Sequence, residues 1–293
     1  TVSGTQPATA YASAAIARAI SGLLQGSGEM TVGGEPIASH ALRPLYAARD
    51  DQPVWTGDPA AEAAGNALLQ ALAAAPAQGL GREGWHRLAL ASLPGRTAAA
   101  LAERDVLLTD AFLRYARALR QGLLPTTALG GDWGIPAQAF DPAAALLAAN
   151  RDEQVTALLG RLAPADPGYG ALAAAYQRYH AIAVQGGWPD AFGAAEIKLE
   201  TADPRLADLQ RRLLLEQDLP PGGPADVPAL RAAVRRFQSR HGLEADGRIG
   251  ARTLAALNVA AERRVAQIAV NLERWRHLPH EFPARRVVVN VAD

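Results

Sequence analysis

The sequence predicts a mainly α protein: a helical scaffold domain, then a three-helix module, then a terminal helix leading into a lone β-strand. Three observations carry this reading. Apolar residues recur at intervals of three and four through most of the chain, the spacing of one helix face. Aspartate followed by proline, a cap and then a first-turn residue, stands ahead of three such stripes, at Asp58-Pro59, Asp141-Pro142 and Asp203-Pro204. One run, Val287-Val288-Val289 with Val291, has the β-branched composition of a strand.

Taken in order, residues 1–34 begin without Met and are rich in Ser, Gly, Thr and Ala, which suits a trimmed export signal followed by a flexible leader. Residues 35–202 read as the helical domain. Leu68, Leu69 and Leu72 follow the Asp58 cap, and Leu108, Ala111, Phe112, Tyr115 and Leu119 form one face of a further helix that ends near Gly122, with Pro125 beyond. Leu146 and Leu147 follow Asp141-Pro142. Val155, Leu158, Leu159 and Leu162 form the next stripe, closed by Pro164, and Leu172, Tyr176 and Tyr179 precede the break at Gly186-Gly187-Trp188-Pro189.

The module is expected over 203–260. Leu206, Leu209 and Leu213 lie one to two turns apart, and Leu219-Pro-Pro-Gly-Gly-Pro224 cannot continue a helix. A helix from about Val227 to His241 buries Leu230, Ala233, Val234 and Phe237, with Gly242 where a left-handed C-cap belongs. Asp246-Gly247 makes a tight turn, and Thr253, Leu254 and Leu257 make a third helix. A linker helix over 261–284 carries Val265, Ile268, Ala269, Leu272 and Trp275 and ends at Pro279 and Pro283. Residues 285–293 are then a strand without a neighbour to pair with, and an unpaired strand is unstable.

Composition narrows the function classes. With 293 residues, 49% of them hydrophobic, the chain can bury the cores of two domains. Its 29 basic and 29 acidic residues cancel, so nothing draws it globally to nucleic acid or anionic lipid, and no stretch is long and apolar enough to be a membrane span. It contains no cysteine, which excludes disulfides, thiolate metal sites and a thiol nucleophile within these residues. No cofactor is expected: Gly79-Leu-Gly-Arg-Glu-Gly84 matches a dinucleotide-binding string but follows a helical pattern instead of a strand, and reads as an interhelical loop placing Trp85. No metal is expected either, because Pro279 separates His277 from His280 and no third ligand stands near. Trp55, Trp133, Trp188 and Trp275 read as pins between helices in preference to sugar-stacking platforms.

The stretch Ala233-Val-Arg-Arg-Phe-Gln-Ser-Arg-His-Gly-Leu-Glu-Ala-Asp-Gly-Arg-Ile-Gly-Ala-Arg-Thr-Leu-Ala-Ala-Leu-Asn258 resembles the peptidoglycan-binding domain found on many cell-wall enzymes. The flanks Tyr179 with Gly186-Gly-Trp-Pro189, and Asn271-Leu-Glu-Arg-Trp-Arg-His-Leu-Pro279 with Arg286-Val-Val-Val-Asn-Val291, resemble those of the large Gram-negative L,D-transpeptidases. Leu45-Tyr46-Ala-Ala-Arg49 with Pro53-Val-Trp55, and Leu107-Leu-Thr-Asp-Ala-Phe-Leu-Arg-Tyr115, are similar to that family's helical scaffold. The resemblance implies an exported, periplasmic parent enzyme that cross-links stem peptides through a cysteine thioester on a separate β-rich domain, of which 285–293 would be the first strand. No catalytic residue carries over, so this chain by itself is expected to bind peptidoglycan, glycan strands and stem peptides, without turnover. The competing reading is a non-enzymatic peptidoglycan-anchoring protein.

Within the module Phe237 reads as core, and Gly242, Gly247 and Gly250 as backbone devices. Gln238, Arg240, His241, Asp246 and Arg248 are the polar groups nearest the turn. A muropeptide presents amides, hydroxyls and carboxylates that such side chains can hold, and these five are the candidate ligand-binding residues.

Overall fold

A computed structural model describes residues 8–25, 30–81, 85–93, 95, 97–130, 133–151, 154–188, 192–280 and 285. The protein is mainly α, with one two-stranded sheet among the described residues. It divides into two units, Thr1–Ala173 with Asn271–Asp293, and Ala174–Val270.

The first unit holds α1 (Ala8–Leu24), a hairpin of β1 (Met30–Val32) and β2 (Glu35–Ile37), α2 (Ser39–Ala47), α3 (Pro59–Ala74), α4 (Arg87–Ser92), α5 (Ala98–Gln121), α6 (Pro142–Arg151), α7 (Val155–Gly160) and the start of α8 (Pro167–Val184). The flexible leader expected over 1–34 is corrected over Ala8–Leu24, which is helical. Ile16, Ile20 and Leu24 recur every fourth residue and are buried in the core, where α1 packs on α5. Gly33 and Gly34, at φ 57° and 82°, close the hairpin, since both central positions of such a turn need the left-handed region.

Helix α5 organises this unit. Its expected single face is an understatement: every residue from Asp105 to Leu113 is buried, and nine consecutive buried residues at 3.6 per turn mean that the helix is covered all round. The polar members of that run are therefore engaged. Asp105 accepts from the backbone N–H of Val54 (3.0 Å) and Trp55 (2.8 Å) and from the hydroxyls of Thr56 (2.9 Å) and Tyr46 (2.7 Å), which ties the loop after α2 onto α5. Burial pushes the Asp105 carboxyl up while these hydrogen bonds oppose the shift. Asp110 lies 2.7 Å from His86 Nε2, and His86 Nδ1 lies 3.2 Å from Glu35, which fastens the hairpin to α5. Trp85 is buried and donates its indole N–H to the Leu80 carbonyl at 3.1 Å. Residues 82–84 of the glycine string lie outside the described residues; Gly79, at φ 74°, caps a 3-10 turn (Ala75–Gln78) that follows α3, not a strand.

The second unit continues α8 and adds α9 (Leu206–Leu215), α10 (Val227–Arg240), α11 (Ala251–Leu257) and the start of α12 (Ala261–His277). Its core joins Leu209, Leu213, Leu219, Leu230, Ala233, Val234, Phe237, Ile249, Leu254 and Leu257, as the stripes predict. The compact unit begins at Ala174, ahead of the module start expected at 203. Phe192, Ile197 and Leu199, from a loop-like stretch assigned to the scaffold, are buried in the same core, and Ile197 forms a β-bridge with Ile249. The end of α12 belongs to the first unit, where Glu273 accepts from the N–H groups of Leu123 (2.5 Å) and Leu124 (2.8 Å) just past α5. Of the expected terminal strand, Val287 to Val291 lies outside the described residues.

Candidate functional site

Asp226 caps α10 by accepting from the Ala229 N–H at 2.9 Å, and the helix ends as its glycine demands. Gly242 is at φ 67°, and the Leu243 N–H returns to the Gln238 carbonyl at 2.9 Å, turning the chain sharply back. The next turn is built around one side chain. Gln238 is 2% exposed, its Oε1 accepts from the Gly247 N–H at 2.8 Å, and its Nε2 reaches Asp246 Oδ1 (2.9 Å), the Arg248 carbonyl (2.8 Å) and Thr253 Oγ1 (3.1 Å). An amide nitrogen has only two hydrogens, so Gln238 has no donor to offer a ligand. Its role is to hold the turn that presents its neighbours. Asp246 completes the turn by accepting from the Arg248 N–H at 2.8 Å, and those bonds keep its carboxyl below the usual range.

Beside this turn lies a cleft of about 580 Å³, with Asp246 and Arg248 on its wall together with Glu196, Glu244 and Arg252. Ala194, Gly250 and Ala251 also line it, small residues that let a chain approach closely. Arg248 is exposed and its Nη2 lies 3.5 Å from Glu196 Oε1, a contact loose enough to yield to a better partner. The lining thus sets two arginines against three carboxylates, a pattern matched to a ligand carrying both signs of charge.

Arg240 and His241 do not share that cleft lining; they join a polar cluster of their own. Arg240 donates to Asp218 Oδ2 (2.5 Å) and Oδ1 (3.2 Å) and to the Tyr179 hydroxyl (2.8 Å), and its Nη2 lies 3.5 Å from Glu216. Burial pulls its pKa down, but the Asp218 bond and the Glu216 charge carry it above the usual arginine range. The Tyr179 hydroxyl donates to Glu216, whose other oxygen is 3.1 Å from Arg212 Nε. Arg212 is fully buried, its guanidinium lying over the Trp188 ring. His241 packs against Phe237 with the rings tilted by 43° and their centroids 4.2 Å apart, and burial first, then Arg264, Arg240 and Arg212, pulls its imidazole down to about 3.

The five predicted side chains therefore separate: Asp246, Arg248 and Gln238 line the cleft, Gln238 as the brace of its turn, and Arg240 and His241 face inward partners. Sequence reasoning missed Glu196, Glu244 and Arg252. The two last stand close to the turn in sequence and were open to inspection; Glu196 is brought in by the Ile197–Ile249 bridge, a pairing with no local signature. Trp55 and Trp188 are buried at 1% and 5% exposure and act as pins, not as sugar platforms.

Comparison with known families agrees with this layout. Residues 40–175 match the Scaffold domain family and residues 203–257 match the peptidoglycan binding domain family. The first match ends beside the division at Ala173/Ala174, not at 202. No curated protein matches the chain. The chain thus carries a scaffold domain followed by a peptidoglycan-binding domain, and the cleft lies against the second of these.

Proposed function

We propose that this chain holds peptidoglycan in the cleft beside the Asp246–Arg248 turn, and that it is the scaffold and tethering portion of an exported, periplasmic L,D-transpeptidase. The observation that supports the reading most is the coincidence of the peptidoglycan-binding match with a braced, mixed-charge cleft. Stem peptides carry carboxylates and an amine, and the glycan carries hydroxyls and amides. Arg248 and Arg252 are suited to fork a carboxylate, while Glu196 and Glu244 are suited to an ammonium group or hydroxyls. The small residues of the lining admit the backbone of a stem peptide.

Such a module contributes by raising the local concentration of stems near a catalytic domain, not by bond chemistry. With no cysteine, these 293 residues supply no thiolate to form a thioester. Sedimentation with purified sacculi tests the binding. The wild-type chain is expected to co-sediment, and the double substitution Arg248→Ala with Arg252→Ala to weaken binding about fivefold or more with an unchanged circular dichroism spectrum. Undiminished binding by that variant would remove the cleft from the proposal. The parent enzyme is tested at the gene. A reading frame continuing into a cysteine-bearing β-rich domain supports it, whereas a frame ending near Asp293 favours the non-enzymatic anchor. Cross-linking of tetrapeptide muropeptides by this chain alone would overturn binding without turnover.

A further inference from the structure

The polar cluster behind His241 holds more positive charge than its carboxylates balance. Arg212 is the centre of the imbalance. It is fully buried, its Cζ 3.1 Å from the centroid of the Trp188 ring, and its ion-pair partner among the described residues is Glu216, 3.1 Å from Nε. None of its three nitrogens has a hydrogen-bond partner among the described residues, and the same holds for Nε of the partly buried Arg264 and Arg178, so that five guanidinium nitrogens stand against one unbonded carboxylate oxygen, Glu216 Oε2. Buried donors are bonded almost without exception, so a group of orphaned guanidinium nitrogens marks the place of an absent acceptor.

Charge decides between water and an anion. Asp218 is held by Arg240 through two nitrogens, and Glu216 is shared among Arg212, Arg240 and the Tyr179 hydroxyl. Among the described residues Arg264 donates to two neutral oxygens, the Gln267 side chain at 3.0 Å and the Ala256 carbonyl at 2.9 Å. Three guanidiniums, Arg212, Arg240 and Arg264, thus oppose two carboxylates, leaving one positive charge, and Arg178 beside the Tyr179 ring adds another. His241 feels all three and stays neutral, which removes it from the sum while leaving its ring nitrogens able to bond. A water would satisfy a donor but leave the charge uncompensated in a poorly solvated place.

We propose that this cluster is a binding site for one carboxylate, reached past the partly exposed His241 and Arg264 and bonded by the free nitrogens of Arg264 and Arg212. The excess of positive charge suits an anion, and the planar fork of a guanidinium suits a planar carboxylate. The carboxylate comes either from a stem peptide, which rests on the peptidoglycan reading above, or from a small free acid.

The test is nuclear magnetic resonance of the arginine Nε–Hε and histidine ring signals of the full chain. Sodium acetate is titrated against sodium chloride at equal ionic strength, and a soluble tetrapeptide muropeptide is titrated separately. Saturable acetate-dependent shifts of the Arg212 and Arg264 signals are expected, weakened about tenfold or more in Arg264→Gln, together with a rise of about one unit in the His241 pKa. Arg264 is partly exposed, so its substitution disturbs the fold less than a change at the fully buried Arg212. Muropeptide that competes with acetate assigns the site to stem peptides; muropeptide without effect assigns it to free acids. Shifts that do not saturate, that chloride reproduces, or that Arg264→Gln leaves intact would overturn the proposal. Retained sacculus binding beside a silent acetate titration would overturn this site alone, and the reverse result would overturn only the cleft.

Discussion

Two residues show how position decides what a charge does. Asp105 is a carboxylate with no exposure and four donors around it, so replacing it leaves buried N–H groups without an acceptor. Asp105→Asn is expected to cost about 3 kcal/mol, read as a lower urea midpoint, because an amide cannot accept on both sides. His241 tests the opposite case, a base kept neutral. Its folded pKa of about 3 lies below the ordinary 6.5, so the unfolded chain takes up the proton first. Its contribution to stability is therefore complete above pH 6.5 and falls away as pH drops towards 3. Urea midpoints taken from pH 7 to pH 4 should decline less steeply in His241→Gln than in the wild type. Identical slopes would show that the imidazole is not desolvated.

Among the elements, α1 departs furthest from expectation. Ile20 is fully buried, and Ile20→Ala is expected to cost about 2–4 kcal/mol in the urea midpoint, where a loose leader would register nothing. The stripe Ile16, Ile20, Leu24 was present in the sequence but sat in a background of Ala, Ser and Gly that also describes a linker. Elements whose start carried a side-chain device were readable. Asp58 accepts from the N–H groups of Ala60 and Ala61, and Asp141 from those of Ala143 and Ala144, where their sequences place caps. Helix α10 was readable from both its stripe and its terminal glycine. The all-round burial of α5 was not, because a helix-face pattern reports which residues are apolar and cannot report what Asp105, Thr109 and Asp110 will find as partners. The cleft was half legible for the same reason. Gln238 looked like a free donor because its acceptors lie across a turn, and Glu196 looked unrelated because it arrives by a pairing from far along the chain.

At the scale of the whole molecule, each unit has its own apolar core, and with a net charge of zero the proposed recognition falls to local groups such as Arg248 and Arg252. That arrangement suits a protein whose ligand is a polymer already nearby, for which long-range steering adds little. The Gln238 brace extends the point. Gly247 stands in a turn whose flanking Asp246 and Arg248 are exposed, yet its N–H is buried and bonded to a side chain anchored beside Phe237 in the middle of the core. Exposed turns ordinarily exchange their amide hydrogens within moments through local opening. Here the Gly247 amide can open only when α10 lets go of Gln238, so in deuterium oxide its signal should persist as long as those of the core helices, and Gln238→Ala should make it vanish early. The lip of the cleft would then have the lifetime of the folded unit itself.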